Sequence, residues 1–270
     1  MVSTYTFELN DKVVRTSVRF KNRYGIELAG DLYQPKNAQG KLPALPVSGA
    51  FGAVKEQTAG FYANELASRG FITLAFDPSF TGESGGESRN VASPDIFTED
   101  YSAAVDFLGT LEQVDRNRIG LMAICGLSGM ALTAATNDVR VKAVATASMY
   151  DMSRSIAKGY KDGYTLEERQ KIRQYLAQQR WSDVDTGRYA TGPHEISFDE
   201  AGEVIVSQIL PDVIPDALKD NQVLVAFHNY YKTERGYHER SVNSTGAWTA
   251  TTPQAFFNFP LLLSWSNQSF

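Results

Sequence analysis

Two nucleophilic side chains, Cys125 and Ser128, lie three residues apart near the middle of the chain. The run before them, residues 119–124, is apolar and uncharged and predicts a buried strand, while residues 130–135 predict the start of a helix. The segment between contains two glycines and favours a sharp turn. A nucleophile on such a strand–turn–helix lies at the carboxyl end of a sheet, beside a helix N-terminus whose N–H groups favour negative charge. The chemistry predicted for this stretch is nucleophilic attack on a carbonyl carbon.

Hydrophobic patterning predicts the strands and helices that must position this turn. Residues 13–20 and 26–33 alternate around a turn, which predicts an antiparallel hairpin. Further strands are predicted at 42–47, 71–76, 119–124 and 139–146, with helices at 57–69 and 93–110 between them. Apolar strands that alternate with helices indicate an α/β fold, a mostly parallel doubly wound sheet with an N-terminal antiparallel hairpin. Pro43 and Pro46 predict that residues 42–47 pair only locally and over a short stretch.

The pattern changes after residue 150, where charged and aromatic residues increase and strand signals become few. Residues 165–179 predict a helix, with Thr165 as its N-cap and Glu168 completing a capping box. Weaker helical signals follow at 198–210 and 217–231. We therefore divide the chain into a core at 1–150, a helical cap inserted at 151–251, and a truncated return segment of the core at 252–270.

Composition narrows the class of protein. The 270 residues are 43% hydrophobic and 21% charged, which is ordinary for a globular protein with a large core. A net charge of −5 argues against a nucleic-acid partner, which would need clustered lysine and arginine. Cys125 is the single cysteine, so an internal disulfide is excluded. The N-terminus shows no secretory signal and no apolar run reaches the roughly 20 residues that span a bilayer, so we expect a cytoplasmic protein without a membrane partner.

Eight segments resemble the α/β-hydrolase superfamily, and within it the bacterial dienelactone-hydrolase-like branch whose nucleophile elbow carries cysteine. The resemblance runs from about residue 13 to 265, on GAVKEQ at 52–57, FDPS at 76–79 with GESGG at 82–86, DRNRIGLMAICGLSG at 115–129, MYDMS at 149–153, YYKT at 230–233 with GYH at 236–238, and VNS at 242–244. It implies an α/β-hydrolase fold with a helical cap. It also implies a small-molecule substrate with a carboxylic ester, lactone or thioester bond. No cofactor is predicted, and glutamate and histidine occur at no metal-ligand spacing, so no metal is predicted either.

The superfamily elbow has small residues two positions before and after the nucleophile, and neither candidate fits cleanly. Cys125 is followed by Leu127 at that position, and Ser128 by Met130. Strand length favours Cys125, because six residues already fill a typical strand and Ser128 would require the intervening residues to stay extended despite a glycine. Cys125 is the predicted nucleophile and Ser128 the alternative. Packing as a small buried apolar residue is the competing interpretation of the cysteine.

The resemblance also implies an oxyanion hole made by two backbone N–H groups. One belongs to the residue after the nucleophile, Gly126, and the other by position to Phe51 in the loop after the third strand. That loop often begins His-Gly in the superfamily, whereas this chain has Gly49 and Ala50 there.

The general base and its orienting acid are harder to assign. The resembling family places both on strands after the cap, and no strand pattern follows residue 265, so we expect those strands to be absent. The histidines are His194, His228 and His238, all in the predicted cap, where packing or surface roles are expected. Glu56, Asp77 and His238 are the predicted substrate-pocket residues. The alternative for Glu56 is a favourable interaction with the helix dipole alone, and the alternative for Asp77 is capping of a loop.

Two functions follow from these expectations. The first is a hydrolase that uses Cys125 as nucleophile. The second is a C-terminally truncated, catalytically inactive relative that binds a small molecule. A bare edge strand left by the truncation also predicts a possible homodimer.

Overall fold

The computed structural model describes residues 5–192, 196–205, 210–246, 248–249 and 252–257. Six strands form one mixed sheet in the order β1-β2-β4-β3-β5-β6. Their bounds are β1 Val13–Lys21, β2 Glu27–Pro35, β3 Leu42–Ser48, β4 Ile72–Phe76, β5 Val114–Ile124 and β6 Val141–Ala147. The four strands from β3 to β6 run parallel, β2 pairs antiparallel with β4, and β1 pairs antiparallel with β2. The predicted α/β class and the N-terminal hairpin are confirmed.

Helices cover both faces of this sheet. α1 Gly60–Ala67, which continues a π-helical turn at Lys55–Ala59, packs on β2, β3 and β4. α2 Pro94–Thr110 and α3 Ser128–Asn137 pack on each other and on β5. Leu121 and Met122 show the result, because these neighbouring residues of β5 belong to separate buried clusters on opposite faces. Successive residues of a strand point to opposite sides, so a strand buried on both sides must be apolar throughout.

The central position of β3 differs from the prediction. Although it carries Pro43 and Pro46, β3 lies between β4 and β5 and pairs with both. The β3–β5 register shifts between Leu42 and Ala44, beside the first proline. The second proline removes only the ladder bond that its own N–H would donate. The expectation of short local pairing is therefore wrong, because the irregularity is confined to one end of the strand.

The residues after β6 are mainly helical. The helices are α4 Met152–Lys158, α5 Leu166–Thr186, α6 Gln222–Tyr231 and α7 Val242–Thr245, and residues 252–257 are also helical. The capping box of α5 is confirmed: the Thr165 hydroxyl accepts the Glu168 N–H at 3.1 Å, and the Glu168 carboxylate accepts the Thr165 N–H at 2.7 Å.

One predicted helix is a hairpin instead. Ser197–Phe198 and Val204–Ile205 pair antiparallel as β7 and β8, around a turn in which the Asp199 carboxylate accepts the N–H groups of Ala201 and Glu203. The helical expectation for 198–210 is wrong over these residues, because side-chain acceptors favour the turn.

The division into core and cap stays a prediction. Most of the predicted return segment at 252–270, with the absent strands expected beyond it, lies outside the described residues. Among the described helices, none combines the length and the apolar character needed to cross a membrane.

Candidate active site

The turn after β5 holds Cys125 in a conformation that L-amino acids rarely adopt. β5 ends at Ile124, whose φ is −121°, and Cys125 follows directly with φ +56°. The carbonyl of Cys125 accepts the Tyr150 N–H at 3.1 Å, which ties the turn to the segment after β6. A non-glycine residue in this region is strained by about 1–2 kcal/mol and persists where its surroundings fix it. The strain lifts the side chain out of the strand direction at the start of the helical segment.

Two backbone N–H groups point at the sulfur of Cys125. They belong to Gly126 and Phe51, and both hydrogen bonds lower the pKa of the thiol. Burial acts in the opposite direction and is the larger effect, so the pKa lies above its ordinary value of 9.0. The N–H groups at the start of the helical segment favour the thiolate, but desolvation of the thiolate outweighs the two amides.

Ser128 is in a different environment. It is the first residue of α3, its side chain is completely buried, and its Oγ has no hydrogen-bond partner within the described part of the chain. Cys125 is partly exposed. Of the two candidates, only the cysteine is accessible to a substrate in this structure.

Gly126 lies where three elements meet. A Cβ at this position would lie 2.6 Å from Met152 Cγ and 2.7 Å from Phe51 Cβ. The missing side chain lets α4 and the loop after β3 approach the elbow closely. The same approach brings the Phe51 N–H to the sulfur.

The Phe51 side chain anchors the loop after β3. Its ring stacks on Trp248 with centroids 4.7 Å apart, and it meets Phe256 edge-on at 5.7 Å. Such pairs stabilise by about 0.5–1.5 kcal/mol beyond the area they bury. The candidate oxyanion donor is therefore held by aromatic residues from near the end of the described chain.

Behind this loop lies an ionic cluster of Lys55, Glu56, Asp77, Glu83 and Arg240. Lys55 Nζ pairs with Glu56 Oε1, with Glu83 Oε2 at 3.0 Å and with Asp77 Oδ2 at 3.8 Å. Arg240 Nη2 lies 2.7 Å from Glu56 Oε1 and 3.3 Å from Glu83 Oε1. Burial alone would lower the pKa of Lys55, but the charges of Asp77 and Glu56 raise it, so this lysine is cationic.

Asp77 ties two loops together at the end of β4. Its Oδ1 accepts the Lys55 N–H at 2.7 Å, and its Oδ2 accepts the Glu83 N–H at 2.9 Å. Burial raises its pKa from 3.8 to about 7 against the favourable charge of Lys55, and the nearby Glu56 adds to the rise. These contacts make Asp77 a loop-capping residue.

Neither of the described histidines is among the groups that shift the pKa of Cys125. His238 is 4% exposed, its Nδ1 accepts the Arg240 N–H at 3.2 Å, and its Nε2 has no partner among the described residues. Burial lowers its pKa, although the charge of Glu56 acts in the opposite direction. His228 Nε2 lies 2.9 Å from the Asp212 carbonyl. His194 lies outside the described residues.

The three predicted pocket residues are enclosed. Glu56, Asp77 and His238 are 2%, 0% and 4% exposed, and substrate contact by them stays a prediction. One cavity, of about 550 Å³, lies between the loop after β4, the end of α5 and residues 254–255. Another, of about 430 Å³, is lined by residues 5–9 and Arg15. Cys125 lines neither, and we place the candidate site at the cysteine because the convergent N–H groups are there. Within the described residues, His, Cys, Asp and Glu form no group that could hold a metal ion.

Sequence reasoning missed the residues that support the site from the far end of the chain. Asn243 and Ser241 hydrogen-bond the loop after β3, and Tyr231 packs against Ala53 in that loop. No spacing could reveal them, because 189 and 192 residues separate the bonded pairs. The sequence signal was limited to the resemblance of the segments that contain Tyr231 and Asn243.

Similar proteins place this arrangement in a family. PA2218 of Pseudomonas aeruginosa, an uncharacterized protein, is 54% identical over 260 residues, which are 95% of this chain and 65% of the relative. Its crystal structure matches with a TM-score of 0.85 at 52% identity, covering 96% of this chain and 75% of that chain. YcjY of Escherichia coli K12, also uncharacterized, is 38% identical over 187 residues, 68% of this chain and 60% of the relative. The chain thus spans less than two thirds of the length of these curated relatives.

A solved structure described as the alpha/beta hydrolase GrgF from Penicillium shares the fold, with a TM-score of 0.66 at 23% identity over 90% of this chain and 72% of that chain. The family model described as X-Pro dipeptidyl-peptidase (S15 family) matches residues 24–251. That match covers most of the chain, and the protein therefore belongs to the X-Pro dipeptidyl-peptidase (S15) family, which is of the α/β-hydrolase type.

Proposed function

We propose that the chain is a hydrolase that cleaves a carboxylic ester, lactone or thioester with Cys125 as nucleophile. The observation that carries this proposal is the convergence of the Gly126 and Phe51 N–H groups on the Cys125 sulfur. Donors that meet at the nucleophile are also near the position where the carbonyl oxygen of a bound acyl group becomes negative. The strained φ of Cys125 supports the same role.

The proposed reaction has two steps. The sulfur of Cys125 attacks the carbonyl carbon, and the oxygen takes the negative charge between the N–H groups of Phe51 and Gly126. The tetrahedral intermediate then expels the alcohol or thiol, which receives the proton that the cysteine lost. Water hydrolyses the resulting thioester and releases the acid. One oxyanion donor lowers such a barrier by about 3 kcal/mol.

Named relatives favour a thioester among these bonds. The chain is 35% identical over 135 residues to a protein named thiohydrolase aneE of Aspergillus aculeatus, which is 50% of this chain and 42% of that protein. A cysteine nucleophile suits such a substrate, because the cysteine thiolate and the thiolate that the substrate releases are similar leaving groups. Closer kinship with dienelactone hydrolases stays part of the proposal and rests on the sequence resemblance alone.

A second candidate is a module that binds a small molecule without cleaving it. One observation favours it. In the described structure, the pKa of Cys125 is set by burial and by two backbone amides, and no histidine or carboxylate contributes to it. A thiol without a base reacts only through its small thiolate fraction. The two candidates therefore differ in turnover and agree in fold.

Hydrolysis of p-nitrophenyl acetate and of an acyl thioester separates these candidates. We expect turnover in the wild type, loss of at least about 100-fold in Cys125→Ala, and little change in Ser128→Ala. Ser128→Ala is the matched control, because it removes one polar atom from the adjacent turn. Equal turnover in the wild type and Cys125→Ala would exclude the proposed nucleophile, and no turnover at all would favour the binding module.

A further inference from the structure

The loop that carries Phe51 is held by hydrogen bonds from Ser241 and Asn243, at the start of α7. The Asn243 side-chain Nδ2 donates to the Phe51 carbonyl at 2.8 Å. The Asn243 backbone N–H donates to the Gly52 carbonyl at 3.3 Å, and Ser241 Oγ donates to the same carbonyl at 2.9 Å. Two consecutive carbonyls of the loop thus receive three donors from one short segment.

The contact between this loop and Asn243 leaves no room for a side chain at Gly52. Gly52 has φ +84°, and a Cβ there would lie 2.5 Å from Asn243 Oδ1 and 3.1 Å from Trp248 Cζ2. Only glycine adopts this conformation without strain, and only glycine lets the asparagine approach so closely. The sequence of the loop is thus matched to the side chain of Asn243, which lies 192 residues after Phe51.

Asn243 also connects the loop to α6. Its side chain hydrogen-bonds the hydroxyl of Tyr231, the last residue of α6, which is 6% exposed. Tyr231 lies near enough to the sulfur for the charge of Cys125 to act on it. An asparagine side chain has two N–H donors and one carbonyl acceptor, so it serves a carbonyl and a hydroxyl together.

Asn243, Trp248 and Cys125 fix three different parts of Phe51. Asn243 holds its carbonyl, Trp248 stacks on its ring, and its N–H points at the Cys125 sulfur. A residue held at its carbonyl and ring has little freedom to turn its N–H away. Catalytic donors must be held within about 0.5 Å of the productive position to keep their effect.

We propose that Asn243 is a positioning residue for the oxyanion hole: its side-chain amide orients Phe51 so that the Phe51 N–H meets the developing oxyanion. This inference rests on the proposed function. It makes the oxyanion hole depend on the segment after α6, so that catalysis requires residues 241–246 and Trp248 to be seated on the core.

The test compares Asn243→Ala and Asn243→Asp with Thr245→Ala in the full chain. Thr245 is the matched control, since it lies in α7 and its hydroxyl bonds the Ser241 carbonyl without reaching the loop. Far-UV circular dichroism verifies folding. The acylation rate of Cys125 by p-nitrophenyl acetate is measured with the thiol fully ionised, beside the rate of its alkylation by iodoacetamide. Alkylation forms no oxyanion, so its rate reports the reactivity of the sulfur independently of the oxyanion hole.

We expect both Asn243 variants to lose about tenfold or more in acylation, a part of the 100- to 1000-fold that removal of a whole donor costs. Alkylation of the thiolate should stay within about twofold of the wild type, and Thr245→Ala should match the wild type in both reactions. Wild-type acylation in the Asn243 variants would overturn the proposal. So would an equal loss in acylation and alkylation, which would indicate general damage to the site.

A second measurement keeps this inference separate from the proposed function. The pKa of Cys125, read from thiolate absorbance, should rise in Asn243→Ala, because the Phe51 N–H then leaves the sulfur. If wild-type Cys125 is never acylated, the proposed function fails. The titration then tests by itself whether Asn243 positions the Phe51 N–H. An unchanged pKa in Asn243→Ala would overturn its positioning role.

Discussion

At the scale of single residues, Cys125 combines a strained backbone with a sulfur that is both hydrogen-bonded and desolvated. The two amides favour the thiolate and burial disfavours it, with burial the stronger effect. The pKa is therefore above 9.0, and the fraction of thiolate at neutral pH is small. This balance gives the cysteine a reactivity profile that differs from that of a thiol activated by a neighbouring histidine.

We expect the rate of alkylation of Cys125 by iodoacetamide to keep rising beyond pH 9, by roughly tenfold per pH unit below its pKa. Because Cys125 is the single cysteine, no other thiol contributes. The same protein unfolded in urea is the control, and its profile should reach a plateau at lower pH than the native one. A native plateau below pH 8 would contradict the desolvation argument and indicate a base beside the sulfur.

The residue scale also shows how far sequence reasoning reached. The choice of Cys125 over Ser128 depended on where β5 ends, and the observed strand does end at Ile124, although it has 11 residues rather than the six that were predicted. The assignment of Phe51 came from the family resemblance, and both roles stay predictions. Asn243 and Tyr231 could not be found by such reasoning, because their roles depend on contacts between segments that are distant in the chain.

At the scale of elements, Asp77 joins β4, the π-helical turn that begins at Lys55 and the loop at Glu83. Its pKa is about 7 in the folded chain against 3.8 ordinarily, so the folded state binds the proton more tightly than the unfolded state. The contribution of this group to stability is complete below about pH 4 and is lost as pH rises through about 7. The ionised carboxylate is the destabilised form.

Replacing Asp77 by asparagine should remove this pH dependence. The wild type should lose on the order of 2 kcal/mol of unfolding free energy between pH 5 and pH 8 through this group, since one pKa unit corresponds to about 1.4 kcal/mol. Asp77→Asn should lose less unfolding free energy over the same interval. The loss of an N–H acceptor changes the stability of this variant equally at both pH values, so it does not affect the comparison. Urea unfolding at both pH values measures the difference.

Asp11→Asn, at an exposed position, is the control for that experiment and should keep the wild-type slope. If Asp77→Asn and the wild type change equally between the two pH values, Asp77 does not titrate in this range and the account of the loop is wrong.

Helices and strands were predicted well where a local sequence pattern determines them, and poorly where strand pairing or a turn determines them. The hairpin of β1 and β2, the strand β5 and the capping box of α5 are local patterns. The central place of β3 depends on partners that tolerate its prolines. The turn between β7 and β8 depends on Asp199, whose carboxylate competes with helical hydrogen bonding.

At the scale of the whole molecule, β6 is the last strand of the sheet, and within the described residues its outer edge pairs with no other strand. Ala143 and Ala145 of this strand are exposed. An unpaired edge with small side chains is a template for pairing with another chain. The homodimer predicted from the sequence would use this edge.

We expect the chain to self-associate with rising concentration in sedimentation velocity, and an Ala143→Lys/Ala145→Lys double variant to associate less, because charges on an edge oppose pairing. Ala38→Lys, in an exposed loop, is the control and should behave as the wild type. A wild-type monomer at all concentrations, or association unchanged by the double variant, would contradict pairing through β6.

Acylation of Cys125 can be detected by mass spectrometry of the intact chain and its peptides after brief exposure to p-nitrophenyl acetate. We expect one acetyl group on Cys125, present in the wild type and in Ser128→Ala and absent in Cys125→Ala. An acetyl group on Ser128, or an adduct that persists in Cys125→Ala, would contradict this expectation.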